Sequence, residues 1–187
     1  IREISPFDQL EVKRIKYMLL CFISYAQQKQ DDPEIVYLML NAFSDHIMID
    51  CTFLSRFFAK VLPQYQVANK KLLFKKFIEL FNNKAISLKT KILGLQHIII
   101  PTLAATFDRK EGDDVVDDEI LDAVIKDMLG METVSDHLGE SLRVELLQVA
   151  TLLVQNLPKK MVNYRKQIMR FSLEHIHTTK QSEENTA

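Results

Sequence analysis

The sequence predicts an all-α protein built as a stack of antiparallel helix pairs. Three observations carry this. Glycine and proline are scarce, four and five among 187 residues, which leaves few sites for tight turns. Apolar residues recur at the helical step over successive stretches of about 10 to 22 residues. Those stretches follow one another at two per roughly 45 residues. Hydrophobic residues make up 47% of the chain, enough for a continuous core.

The first helix is expected over Phe7–Gln28, where Val12, Ile15, Met18, Leu19, Phe22 and Ala26 share one face. The run DDPE at Asp31–Glu34 is a start signal. An Asp can cap, proline tolerates the first helical position, and Glu34 favours the positive helix end. The second helix then covers Ile35–Phe43. A third covers Ile47–Leu62 and stops at Pro63. Val67–Phe81 is the clearest amphipathic helix. It has Leu73, Phe74, Phe77, Ile78, Leu80 and Phe81 on one side and mostly charged residues on the other, with Leu72 as the exception.

Ser87 caps the next helix, whose core is KILGLQHIIIPTLAATF at Lys91–Phe107. Pro101 lies deep inside it and deprives the His97 carbonyl of its donor, a cost of about 3 kcal/mol in an ordinary helix. The expected result is a kinked helix, or two short helices meeting near Ile100, with Ile98, Ile99, Ile100 and Leu103 buried. Asp108–Glu119 reads as a charged loop. A helix follows at Ile120–Leu129, with Gly130 as its stop. Val134–Gly139 is a connection, and Glu140–Leu157 is a helix apolar on most of its circumference. Pro158 ends that helix or opens the next, which runs to about His177. Thr178–Ala187 is expected to be a disordered tail, leaving 1–177 as the folded segment.

Charge is balanced overall at −1 but unevenly placed. Arg56–Lys91 holds nine Lys/Arg against one Glu, and Asp108–Glu145 holds thirteen Asp/Glu against four Lys/Arg. Two candidate interaction patches follow. Lys70, Lys71, Lys75 and Lys76 form a basic patch able to attract an acidic protein segment. Asp113, Asp114, Asp117, Asp118 and Glu119 form an acidic loop. A solvated surface is the plainer reading of both.

Catalytic and cofactor signatures are not found. There is no GxSxG, HExxH, CxxC, Walker-type or GxGxxG motif, and the four glycines are scattered. His175 and His177, two apart, point to different sides of a helix, which is wrong for shared metal ligation. The acidic run lacks the ligand alternation of an EF-hand. Cys21 and Cys51 read as buried thiols. No apolar run is long enough to span a membrane. No enzyme, cofactor, metal, small-molecule substrate or membrane contact is therefore expected. Direct nucleic-acid contact would need the basic residues to converge on one face, and it is not expected either.

The helix spacing matches HEAT-like units, about four pairs in a solenoid, with a compact helical bundle as the alternative. Starting at Ile1, the chain reads as a segment of a longer one. Lys91–Phe107, the charged loop with glycine after it, and ESLRVELLQVATLLVQNL at Glu140–Leu157 together resemble the TRRAP family. These are nuclear, kinase-related scaffolds of histone acetyltransferase complexes whose kinase-like domain is catalytically dead. The resemblance covers roughly 91–112 and 138–160. It implies a HEAT-repeat superhelix, membership of a SAGA-like or NuA4-like complex, protein partners including complex subunits and acidic transcription activators, and a nuclear location. A HEAT scaffold of another family, such as a transport receptor or phosphatase scaffold, is the alternative.

Overall fold

The computed structural model describes residues 52–131 and 137–184, together with Asp32, Glu34, Val36, Tyr37 and Leu40. The expected helix at 7–28, the start of the third helix at 47–51, and Cys21 and Cys51 lie outside the described residues. All regular structure among the described residues is helical, and it forms an all-α helical-repeat solenoid.

Glu34, Val36, Tyr37 and Leu40 are helical, and the Asp32 carboxylate accepts the Glu34 N–H at 2.9 Å, so the DDPE start signal acts as expected. Helix α1 spans Thr52–Val61 and tightens into a 3₁₀ turn at Leu62–Gln64, where Pro63 ends the α-helical pattern. Helix α2 spans Val67–Asn82 and buries Leu73, Phe74, Phe77, Ile78 and Phe81. Leu72 stays exposed, the expected exception.

The proline-bearing segment is two α-helices joined by a π turn, the second beginning at Ile100. Helix α3 (Leu88–Gly94), capped by the Ser87 hydroxyl on the Thr90 N–H, runs into a π turn at Leu95–Ile99 and on into α4 (Ile100–Asp108). In the π turn the Ile100 N–H reaches back five residues to the Leu95 carbonyl. The wider turn lets the helical path continue through Pro101, which has no N–H to offer His97. Thr102 donates its hydroxyl to the Ile98 carbonyl at 2.6 Å. Ile98, Ile99 and Leu103 are buried as expected, and Ile100 is only half-buried.

The acidic segment is less of a loop than its composition suggests. Lys110 turns the chain with φ 60°, and α5 (Gly112–Val115) follows. A Cβ at Gly112 would lie 2.9 Å from the Phe107 ring, so glycine is needed there. Val115 and Val116 are fully buried, and burial of this apolar pair anchors the segment as a helical turn. Asp117 then caps α6 (Asp118–Ala123), accepting the Ile120 N–H at 3.0 Å, and a second π turn covers Val124–Met128. Helix α7 spans His137–Asn156. Pro158 opens α8 (Pro158–Met161), which passes through a 3₁₀ turn at Val162–Tyr164 into α9 (Arg165–Glu184). Helix α9 is thus helical past Thr178, where a disordered tail was expected. Lys180, Gln181, Glu183 and Glu184 are good helix formers, so a composition too polar to bury can still extend a helix.

The helices alternate between two rows. The helix through Glu34, α2, α5–α6 and α8–α9 form the first row; α1, α3–α4 and α7 form the second. Ion pairs along the first row join residues 41 to 47 positions apart, and Gln96 joins Glu145, 49 positions on, along the second. One apolar core runs between the rows from Val36 to Phe171.

Candidate functional site: the charged seam of the first row

The two patches marked by the sequence lie against each other. Lys70 at the start of α2 is fully buried, and its Nζ donates to the Glu111 carboxylate at 2.5 Å. At the next residue, Lys71 Nζ lies 3.1 Å from Asp117. Lys75 donates to Glu119 at 2.7 Å, and Asn82 donates to Asp127 at 3.0 Å. Lys76 points to the other side of α2 and pairs with Glu34. On the far side of the acidic segment, Lys160 lies 3.4 Å from Asp113 and 3.8 Å from Asp118, and donates to the Val116 carbonyl at 3.1 Å. Tyr164 donates to Asp122 at 3.3 Å. Asp114 is exposed and makes no ion pair among the described residues.

The electrostatics follow from these contacts. Partial burial pushes the Asp117 carboxyl up, but the Ile120 N–H and the Lys71 and Lys75 ammonium groups outweigh it and hold the carboxyl below its ordinary value. The hydrogen bond to Glu119 raises Lys75. The hydrogen bond to Lys126 lowers Asp122. Tyr164 is raised, by burial first and by the Asp122 charge next.

The second row differs. There α3, the first π turn and α4 pack on α7 through Leu95, Ile98, Leu103, Leu142, Leu146 and Val149, with Gln96 donating to Glu145 at 2.7 Å. His97 beside them is half-buried. Burial lowers its pKa, and the Glu145 charge opposes that. Lys91 is buried with its Nζ 5.3 Å from the centre of the Phe81 ring, and desolvation lowers its pKa.

A sequence reading centred on charge blocks found Lys70, Lys71, Lys75 and Lys76 but missed Glu34, Glu111, Lys160 and Tyr164, which complete the seam. The missing signal was the helix-pair spacing: each partner lies 41 to 47 residues from its mate. An open groove of about 300 Å³ lies beside the Lys76–Glu34 pair, lined by Tyr37, Glu79, Leu80, Asn83 and Ile86. No nucleophile faces a base there. Among the described residues no group of His, Cys, Asp and Glu is placed to hold a metal ion, and no helix is long and apolar enough to cross a membrane.

Two rows of stacked helices, cross-tied at a fixed spacing, define a helical-repeat scaffold. The family model for the Tra1 HEAT repeat ring region matches residues 4–187, and the chain belongs to that family. It is similar to "Transformation/transcription domain-associated protein" of Mus musculus, 31% identical over 156 residues, covering 78% of this chain and 6% of that one. The Homo sapiens protein of the same name is also 31% identical over 156 residues, covering 78% of this chain and 4% of its own. "Probable transcription-associated protein 1" of Dictyostelium discoideum is 26% identical over 180 residues, 92% of this chain and 4% of that one. The chain thus spans a small fraction of the length of these relatives. No solved structure matches it.

Proposed function

We propose that this chain is a non-catalytic scaffold segment of a nuclear transcription co-activator subunit, working within histone acetyltransferase complexes of the SAGA-like or NuA4-like kind. Its partners would be complex subunits and acidic transcription activators. The observation that carries this reading is the family match over residues 4–187, which joins a HEAT-repeat architecture to relatives named for transcription. The geometry supports a mechanical role. Lys70, Lys71 and Lys75 are held by carboxylates of the acidic segment, so these pairs fix the spacing of α2 and α6. An acidic partner arriving at Lys70, Lys71, Lys75 and Lys76 would have to displace carboxylates already in place.

The test uses the full-length protein with this segment deleted or replaced by a helical repeat of equal length. Loss of co-purifying acetyltransferase activity or of activator capture is the expected result. A full-length protein that retains both after replacement overturns the reading.

A further inference from the structure

Helix α2 presents charges to a neighbour on each side. Toward the acidic segment, Lys70, Lys71 and Lys75 each meet a carboxylate, and toward the Glu34-bearing helix Lys76 meets Glu34. All four lysines are thus matched. Glu79 is the one acidic residue of α2, and it is exposed and makes no ion pair among the described residues.

The register explains why. Neighbouring helices of the first row run parallel, since Lys71, Lys75 and Asn82 meet Asp117, Glu119 and Asp127 in the same order. Lys76 meets Glu34, 42 positions back. The same step from Glu79 leads to Tyr37, which brings no positive charge and turns its hydroxyl inward to the Leu73 carbonyl at 2.5 Å. The seam is one tie short there, and at that place it opens into the groove of about 300 Å³. Tyr37, Leu80 and Ile86 form its apolar walls. Glu34, Lys76 and Glu79 supply its charges, two negative against one positive. Burial first, then Tyr65, then the charges of Glu34 and Glu79 push the Tyr37 hydroxyl well above its ordinary value, so both carboxylates act on the inner wall of the groove.

We propose that this groove receives an arginine or lysine side chain from a basic segment of a partner protein, which pairs with Glu79 and completes the seam. This rests on the scaffold reading and adds the chemistry of one partner. A long basic side chain fits both features of the groove. Its aliphatic stem covers Leu80 and Ile86, and its charged end stays at the rim beside Glu79. An acidic segment would meet like charge at Glu34 and Glu79, and an apolar one would leave Glu79 unmatched.

The test is a fluorescence anisotropy titration of the full-length protein with two labelled peptides of nine residues, one carrying a central arginine between leucines and its twin a glutamate at the same place. The arginine peptide is expected to bind at least about tenfold more tightly than the twin and to weaken as salt rises. Glu79→Gln should weaken it about tenfold, and Glu79→Lys should shift preference toward the glutamate twin. Glu140→Gln, at an exposed carboxylate on α7, should leave binding unchanged. Equal binding of the two peptides, no binding of either, or arginine binding that survives Glu79→Lys overturns the proposal. A loss with Glu140→Gln equal to that with Glu79→Gln overturns it too, because binding would then follow net charge and not the groove. Each of these results leaves the scaffold reading standing, because that is read by co-purification after replacement of the whole segment.

Discussion

The seam between α2 and the acidic segment and the seam between α3–α4 and α7 join the same two repeats, yet they are built differently. The first is a ladder of ion pairs, from the buried Lys70–Glu111 pair to the exposed Lys75–Glu119 pair. The second is apolar, with Gln96–Glu145 at its edge. Apolar burial supplies stability with little dependence on salt or pH, and it tolerates sliding. Ion pairs at fixed spacing add little stability each but penalise a wrong register. The charged row therefore sets how successive repeats align, and the apolar row holds them together.

The apolar seam should give the largest effect when cut. Leu146→Ala in α7 removes a fully buried side chain, and about 2–5 kcal/mol of unfolding free energy should be lost in denaturant titration, equally at low and high salt. In the charged row, Glu111→Gln leaves the buried Lys70 ammonium without a full counter-charge. It should cost about 1–3 kcal/mol, because the Glu111 side chain is 27% exposed and partly solvated. Lys71→Ala, at a pair whose two side chains are each 35% exposed, should cost about 0.5 kcal/mol in dilute buffer and almost nothing in molar salt. An apolar-seam variant that is salt-sensitive, or a Lys71 variant that is not, would erase the distinction.

Acid should separate the rows as well. His97 in the second row has a folded pKa below its ordinary 6.5, so its neutral form fits the fold. Its contribution is present above pH 6.5 and is lost as pH falls through the folded value. Asp117 has a folded pKa below its ordinary 3.8, so its contribution holds above that pH and is lost only as pH falls further. Thermal melts from pH 8 to 3 should show a first loss that His97→Gln removes. A second, below about pH 4, should be removed by Asp117→Asn. A single acid transition untouched by either substitution would contradict this.

Much of the fold was legible because it rests on local chemistry. The Ser87 cap, the Pro63 stop, the Pro158 start and the exposed Leu72 all follow from nearest neighbours in the chain. What was not legible depends on partners about one repeat away. Lys70 sits among solvated lysines by composition, yet it is fully buried because Glu111 folds over it. Asp113–Glu119 reads as a loop until Val115 and Val116 find the core. The π turn before Pro101 resolves a conflict whose outcome depends on packing around Leu95 and Ile98. The helix runs to Glu184, past the Thr178 boundary drawn from composition.

The most direct test of the charged row as the element that sets register is a double-mutant cycle on Lys70 and Glu111. Lys70→Met and Glu111→Gln would be measured singly and together by chemical denaturation. The two substitutions should couple by about 1–3 kcal/mol, with Lys70→Met recovering most of the loss caused by Glu111→Gln. Strictly additive losses would mean that the pair makes no energetic link between α2 and the acidic segment, and that apolar packing alone aligns the repeats.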